Sequence, residues 1–314
     1  MRVHRSLEEA ARAGTLRGGA LAIGNMDGVH LGHRRLFQAA RELAPSAAGV
    51  LTFDPHPVRV LRPQLAPPLV TPLPRKLELL AGLGLSAAVV HPFDLAYAST
   101  PAAEFVARDL LGRLGVAQVV VGRDFTAGHE RAGIEALGPL LSARGIGLQV
   151  IEPVTADGLV VSSTKIREFV LEGNVEAAGL LLARPYDIDG QVVRGAGRGR
   201  ALGFATANVQ ADQLLPANGV YVVRAGVGAA GEPIGDEAER AGVCNVGVKP
   251  TVEAGGGVSI EVHLLEFDGR DLYGSAIRVA FLARLRDERR FPSVEALRAQ
   301  IAADVAAARV FLAR

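Results

Sequence analysis

Tryptophan is absent from this chain, and cysteine occurs once, at Cys244. One cysteine cannot build an internal disulfide or a multi-cysteine zinc site, which fits a reducing compartment. An excess of charge is missing too: 34 Lys and Arg stand against 33 Asp and Glu, a formal balance of +1. No broad basic footprint is left for nucleic acid or an anionic membrane, so any bound anion must be held by a local arrangement. Lysine is scarce, with only Lys76, Lys165 and Lys249. No apolar run approaches the ~20 residues that a spanning helix needs. The opening MRVHRSLEEAARAG is polar and amphipathic, without the apolar stretch of a secretion signal. These absences predict a soluble cytoplasmic protein with no nucleic-acid, membrane or obligatory protein partner.

What is there is a large apolar fraction, 49% of 314 residues, enough for two cores. The first half alternates apolar runs with helical patterns. Strands are expected at 18–25, 47–57, 86–93, 117–125 and 146–154. Helices are expected after the first run and at 76–84, 102–115 and 135–145. Strands that are apolar almost throughout, interleaved with amphipathic helices, predict a doubly wound parallel sheet. Ligands bind such sheets beyond the carboxyl ends of the strands. Two short helices should follow, SSTKIREFVLEG and NVEAAGLLLARP. The period then changes to six strand-like runs, beginning at 186, 204, 219, 241, 258 and 276, and a last helix capped by Ser293. Asp268-Gly269 reads as a tight turn, and 228–242 as a mobile hairpin loop. The second half is thus expected to be a small antiparallel six-stranded barrel with a C-terminal helix. The domains divide as 1–183 and 184–314.

Residues 24–36, GNMDGVHLGHRRL, place His30 and His33 where a strand gives way to a helix. The first N–H groups of a helix are free, and its dipole favours negative charge there. Histidines at i and i+3 share one side of the first turn, and Gly32 leaves room for a phosphate to reach the backbone. Packing, a metal pair and nucleotide phosphate binding all remain open on these residues alone. A catalytic zinc would need about three protein ligands, and only Asp27 is near in sequence. A second segment, VSSTKIREF, leads Ser162, Ser163 and Thr164 into a helix with Lys165 and Arg167 in its first turn. Cations there oppose the dipole, a conflict that a bound anion would remove. HLGH after the first strand and SSTKIR after the last resemble the paired signatures of the HxGH nucleotidyltransferases.

In the second half, RGAGRGRALGFATAN (194–208) is a glycine-rich turn with arginines running into a strand. Glycines let backbone N–H groups cradle phosphates. Thr206 and Asn208 lie two apart, on one face, with hard oxygens suited to Mg²⁺ carrying phosphates. In VSIEVHLLEF, Glu261 falls opposite the apolar face. It could act as a base toward a hydroxyl or serve solubility alone.

The chain resembles the bacterial bifunctional riboflavin kinase/FAD synthetases over nearly its whole length. The resemblance rests on GNMDGVHLGH, FDPHP, VGRDF with the later RAG, and SSTKIR in the first half. In the second it rests on GRALGFATAN, CNVGVKPT, EVHLLEFDGRDLYG and RDERRFPSVEAL. It implies that the barrel phosphorylates riboflavin with ATP and Mg²⁺ and that the first domain adenylylates FMN to FAD. Carried over residue by residue, His30, His33 and Glu261 are the catalytic candidates. Gly24, Asn25, Asp27, Gly32, Asp124, Ser162, Ser163, Thr164 and Arg167 would hold ATP or its phosphates in the first domain. Gly197, Arg198, Gly199, Gly203, Thr206 and Asn208 would do so in the second, Thr206 and Asn208 also holding the metal. Asp54, His56, Phe125 and Arg286 would contact flavin. The resemblance leaves an alternative, that one activity is retained and the other domain only binds flavin or regulates. Three positions depart from the family pattern. Met26 stands where phenylalanine is usual and Ala127 where an aromatic is usual. Ala205 replaces a proline whose backbone conformation the strand is expected to supply.

Overall fold

A computed structural model describes residues 1–195, 204–230, 234, 239–248, 258–267 and 271–313. The chain separates into two compact units, Met1–Ser163 and Thr164–Arg314.

In the first unit, β1 (Arg2–His4), β2 (Ala20–Ile23), β3 (Ala48–Asp54), β4 (Ala87–Pro92), β5 (Gln118–Gly122) and β6 (Gly147–Ile151) form one sheet. The order is β1-β4-β3-β2-β5-β6, and every pairing is parallel. Both faces are covered, which is why the strands read as unbroken apolar runs. Leu21, Ile23, Leu51, Val119 and Val121 face one core, against the Leu7–Ala13, Phe105–Leu114 and Ile134–Ser142 helices. Ala20, Ala22, Val50, Ala88 and Val120 face the other, against the Leu31–Leu43 and Leu73–Ala81 helices. After β4 the chain returns to the far side of β2, so the loops leaving β2 and β5 flank the switch point where such sheets bind ligands.

Three features escape the periodicity. The strand β1 and the helix after it, capped by Ser6 and closed by Gly14 at φ 63°, lie in the polar N-terminal segment. The expected helix over 102–115 is helical, but Phe105–Leu114 has π-type bonding around a fully buried Asp109. That carboxylate takes the Tyr97 hydroxyl and the Arg108 and Arg113 guanidinia. A two-strand hairpin, β7 (Thr155–Ala156) with β8 (Leu159–Val160), precedes the Ser163–Glu172 helix.

In the second unit, β9 (Tyr186–Val193), β10 (Ala207–Gln210), β11 (Gly219–Ala230), β12 (Arg240–Val248), β13 (Val258–Leu264) and β14 (Ser275–Arg286) close into an antiparallel barrel. Tyr221, Cys244 and Val262 are cross-strand neighbours with no exposed surface, and Phe281 meets Tyr221 edge-on at 5.4 Å. The opposite face, with Val220, Val222, Val243 and Ala283, packs on Ala308 of the Val294–Leu312 helix, which Ser293 caps as expected. The helices Ser163–Glu172 and Val175–Leu182 also reach this unit, where Arg284 bonds the Glu172 carbonyl and the Glu176 carboxylate. β11 and β12 extend into the expected 228–242 loop from either end. The Asp268-Gly269 turn lies outside the described residues. Among the described residues, no helix is long and apolar enough to cross a membrane.

Candidate functional site

The loop from β2 to the Leu31–Leu43 helix turns sharply, with Met26 at φ 52°, Gly28 at φ 91° and Val29 at φ 45°. Left-handed backbone at a β-branched residue costs on the order of 1–3 kcal/mol and persists only where the surroundings over-determine it. Here they do, because Met26 and Val29 have no exposed surface and belong to one core. Met26 therefore fills the space expected of a phenylalanine, and a Cβ on Gly24 would come within 3.1 Å of its Cε.

Inward-facing polar groups fasten the same loop. Asp27 is 2% exposed, and its carboxylate accepts the backbone N–H groups of Val70 at 3.1 Å and Thr71 at 3.0 Å. The Asn25 carbonyl accepts the Thr52 hydroxyl at 3.0 Å and the Lys76 ammonium at 2.8 Å. Ser163 donates to the Asp27 carbonyl at 2.8 Å, which ties the start of the SSTKIR segment to the HLGH turn. Of the residues expected to hold phosphate, Asp27 thus clamps the loop through its own backbone partners.

His30 caps the helix: its Nδ1 accepts the His33 N–H at 3.3 Å. An accepting Nδ1 carries no proton, so a neutral ring keeps its hydrogen on Nε2. The His33 ring stacks on it, with centroids 3.6 Å apart and planes 17° from parallel. Two imidazolium rings at that spacing would repel. Burial, then the neighbouring His30 ring, which could not share a second proton at this spacing, and then the Lys76 charge hold the His33 pKa well below the ordinary 6.5. Its Nδ1 is buried without a hydrogen-bond partner. Gly32 lies against the His30 ring, where a Cβ would sit 3.1 Å from Cε1. The result is a pair of neutral imidazoles at a helix N-terminus, suited to donating hydrogen bonds to an oxyanion.

Other candidates lie at strand carboxyl ends. Asp54 ends β3 exposed, and His56 caps the Pro57–Leu61 helix through the Val58 N–H. Asp124 is exposed beyond β5, and Phe125 is half-buried against the core. Ala127 is 4% exposed in that core, so its missing aromatic ring is a packing difference. Thr164 and Arg167 lie in the first turn of the Ser163–Glu172 helix, Thr164 exposed and Arg167 half-buried, while Lys165 pairs with Glu168 at 2.9 Å.

In the barrel, Asn208 pairs with Glu261 across β10 and β13, and Glu261 pairs with Asn245 across β12. Directly paired residues share a face, so an amide, a carboxylate and a second amide converge on the outer surface. Glu261 also accepts the Ser259 hydroxyl at 3.3 Å. Gly195 lies under the Asn208 amide so closely that a Cβ there would collide with it. Gly197, Arg198, Gly199 and Gly203 lie outside the described residues. β10 starts at Ala207, so the strand does not supply the Ala205 conformation as expected. The His263 imidazole holds it instead, Nδ1 lying 2.8 Å from the Ala205 carbonyl. Thr206, half-buried, follows directly. Arg286 pairs with Asp304 at 2.8 Å and donates to the Asp287 carbonyl, which ties β14 to the C-terminal helix. Among the described residues, no three His, Cys, Asp or Glu side chains cluster to hold a metal.

Sequence reasoning missed Lys76, which its scarcity alone could have flagged, and His263, whose place two residues after Glu261 on the same strand face was the available signal.

Comparison with known proteins agrees in both halves. The family model of FAD synthetase matches residues 13–165 and that of riboflavin kinase residues 182–312. A bifunctional riboflavin kinase/FMN adenylyltransferase of Pseudomonas fluorescens is 39% identical over 304 residues, covering 95% of this chain and 94% of the relative. One of Bacillus subtilis is 37% identical, covering 90% and 89%. A crystal structure described as a macrolide-efflux protein from Streptococcus pneumoniae superposes with a TM-score of 0.82 at 30% identity, covering 93% of this chain and 94% of that one. With both domain models matched in tandem and relatives spanning nearly its full length, the chain belongs to the bifunctional riboflavin kinase/FMN adenylyltransferase family.

Proposed function

We propose that the barrel unit transfers the γ-phosphoryl group of ATP to the 5′-hydroxyl of riboflavin. The first unit then joins FMN to the adenylyl group of a second ATP. In the first step Glu261 takes the hydroxyl proton as the oxygen attacks phosphorus and ADP departs. Asn208 and Thr206 offer an amide and a hydroxyl oxygen, donors that fit Mg²⁺ arriving with the nucleotide. That ion, when bound, neutralises charge on the phosphate oxygens. The glycine-rich turn, with Gly197, Arg198, Gly199 and Gly203, is assigned to the phosphates. In the second step an FMN phosphate oxygen attacks the α-phosphorus and pyrophosphate leaves. His30 and His33 donate to the oxygens where charge develops. Ser162, Ser163, Thr164 and Arg167 are assigned to pyrophosphate, and Asp54, His56, Asp124 and Phe125 to FMN and the nucleotide. Arg286, engaged by Asp304, acts on flavin only through the position of its strand. No covalent enzyme intermediate is required, so catalysis is positioning and charge stabilisation. Both steps consume ATP, which supports a cytoplasmic location.

The observation that carries this reading is the neutral His30–His33 stack at a helix N-terminus, in a chain whose barrel opposes Asn208 to Glu261. A chromatographic time course with riboflavin, excess ATP and Mg²⁺ tests it. FMN should rise and then give way to FAD. FMN accumulating without FAD removes the second step. No FMN from riboflavin, with FAD still made from supplied FMN, removes the first.

A further inference from the structure

Lys76 is 5% exposed, and a charged amine in that setting calls for a reason. It belongs to the Leu73–Ala81 helix, away from the HLGH and SSTKIR segments in sequence, yet its ammonium bonds the Asn25 carbonyl at 2.8 Å. That carbonyl lies in the same strained loop that sets His30 and His33. An ammonium has three donors, and the Asn25 carbonyl engages one of them. The groups facing it are Asp27 from the loop and Asp54 from the end of β3, with His33 on the helix beyond.

We propose that Lys76 is a positioning residue of the adenylyl-transfer site, its ammonium bracing the Asn25 carbonyl and so fixing the turn that presents the stacked histidines. This rests on the adenylyltransferase reading of that site. Its second effect is electrostatic. Burial pulls the Lys76 pKa down, and Asp27 and Asp54 pull it back up. The charge that remains opposes protonation of His33. Lys76 thus supplies a fixed positive charge beside the polyphosphate site and leaves the imidazoles neutral as donors. A merely structural lysine would brace the loop without influencing His33.

The test compares K76M and K76R with the wild type, all as full-length chains. Methionine matches the length of the side chain without the charge, and arginine keeps the charge. Imidazole NMR of the ligand-free proteins should show His33 titrating at higher pH in K76M and near the wild-type position in K76R. The acid limb of kcat/KM for FMN adenylylation should move to higher pH in K76M, with a loss on the order of tenfold at neutral pH. The melting temperature of K76M should hold or rise, because an apolar isostere escapes the cost of a buried charge. Unchanged His33 titration, or a loss of melting temperature with an unmoved pH profile, would overturn the proposal. A wild type that makes no FAD would sink the adenylyltransferase reading instead, while the His33 titration would still report on Lys76.

Discussion

His30 has a capping role and a proposed catalytic one, and substitution can separate them. Its Nδ1 caps a helix, and its Nε2–H is the donor assigned to the transferring phosphate. His30→Ala should cost about 1 kcal/mol of stability through the lost cap. His30→Asn restores a capping oxygen, so its stability should match the wild type within a few tenths of a kcal/mol. Both variants should lose roughly 10²–10³-fold in FMN adenylylation, the usual cost of one oxyanion donor. Chemical denaturation and initial rates on the same samples check this; an active His30→Asn would reduce the histidine to a cap. His33 adds a pH dependence. Its folded pKa is depressed below 6.5, so an unfolded chain binds the proton that the folded one refuses. Stability is complete above pH 6.5 and falls as pH drops below it, with His91 acting in the same direction. Melting curves at pH 7.5 and 5.5 should show this fall, and His33→Asn should reduce it. An equal fall in the variant would contradict the assignment.

At the scale of the element, regular strands and helices were legible because the burial pattern is regular. The parallel strands are covered on both faces and read as apolar runs, and the barrel strands alternate. All six barrel strands fall at the predicted runs, although β10 starts only at Ala207 in the run expected from 204. The HLGH turn was legible because glycine spacing and a helix start are local features. What stayed hidden depends on partners distant in sequence. β1 is short and polar at its margins, and it exists because β4 offers it an edge. Lys76 meets Asn25 across 51 residues, and His263 meets Ala205 across 58. Arg286 resembled a ligand contact in sequence, yet its guanidinium meets Asp304 on the C-terminal helix. Because Asp304 is 5% exposed, Asp304→Ala should leave Arg286 without its carboxylate partner and cost about 3 kcal/mol. Urea unfolding measures this. A cost under about 1 kcal/mol would place the pair among weak surface contacts.

The whole molecule sets two reactions in chemical series, since the phosphate ester made by the riboflavin kinase domain is the nucleophile consumed by the FMN adenylyltransferase domain. Each unit has its own core and its own cluster of polar groups. The two activities should therefore be separable by single substitutions that leave the chain folded. Glu261→Gln should abolish FMN formation from riboflavin while FAD is still made from supplied FMN. His30→Asn should do the reverse. The most direct measurement is to mix these two variants with riboflavin, ATP and Mg²⁺ and follow FAD. Neither variant alone should make FAD from riboflavin, and the mixture should. If either folded variant lost both activities, or the mixture formed FMN that no site adenylylated, the assignment of one reaction to each unit would be wrong.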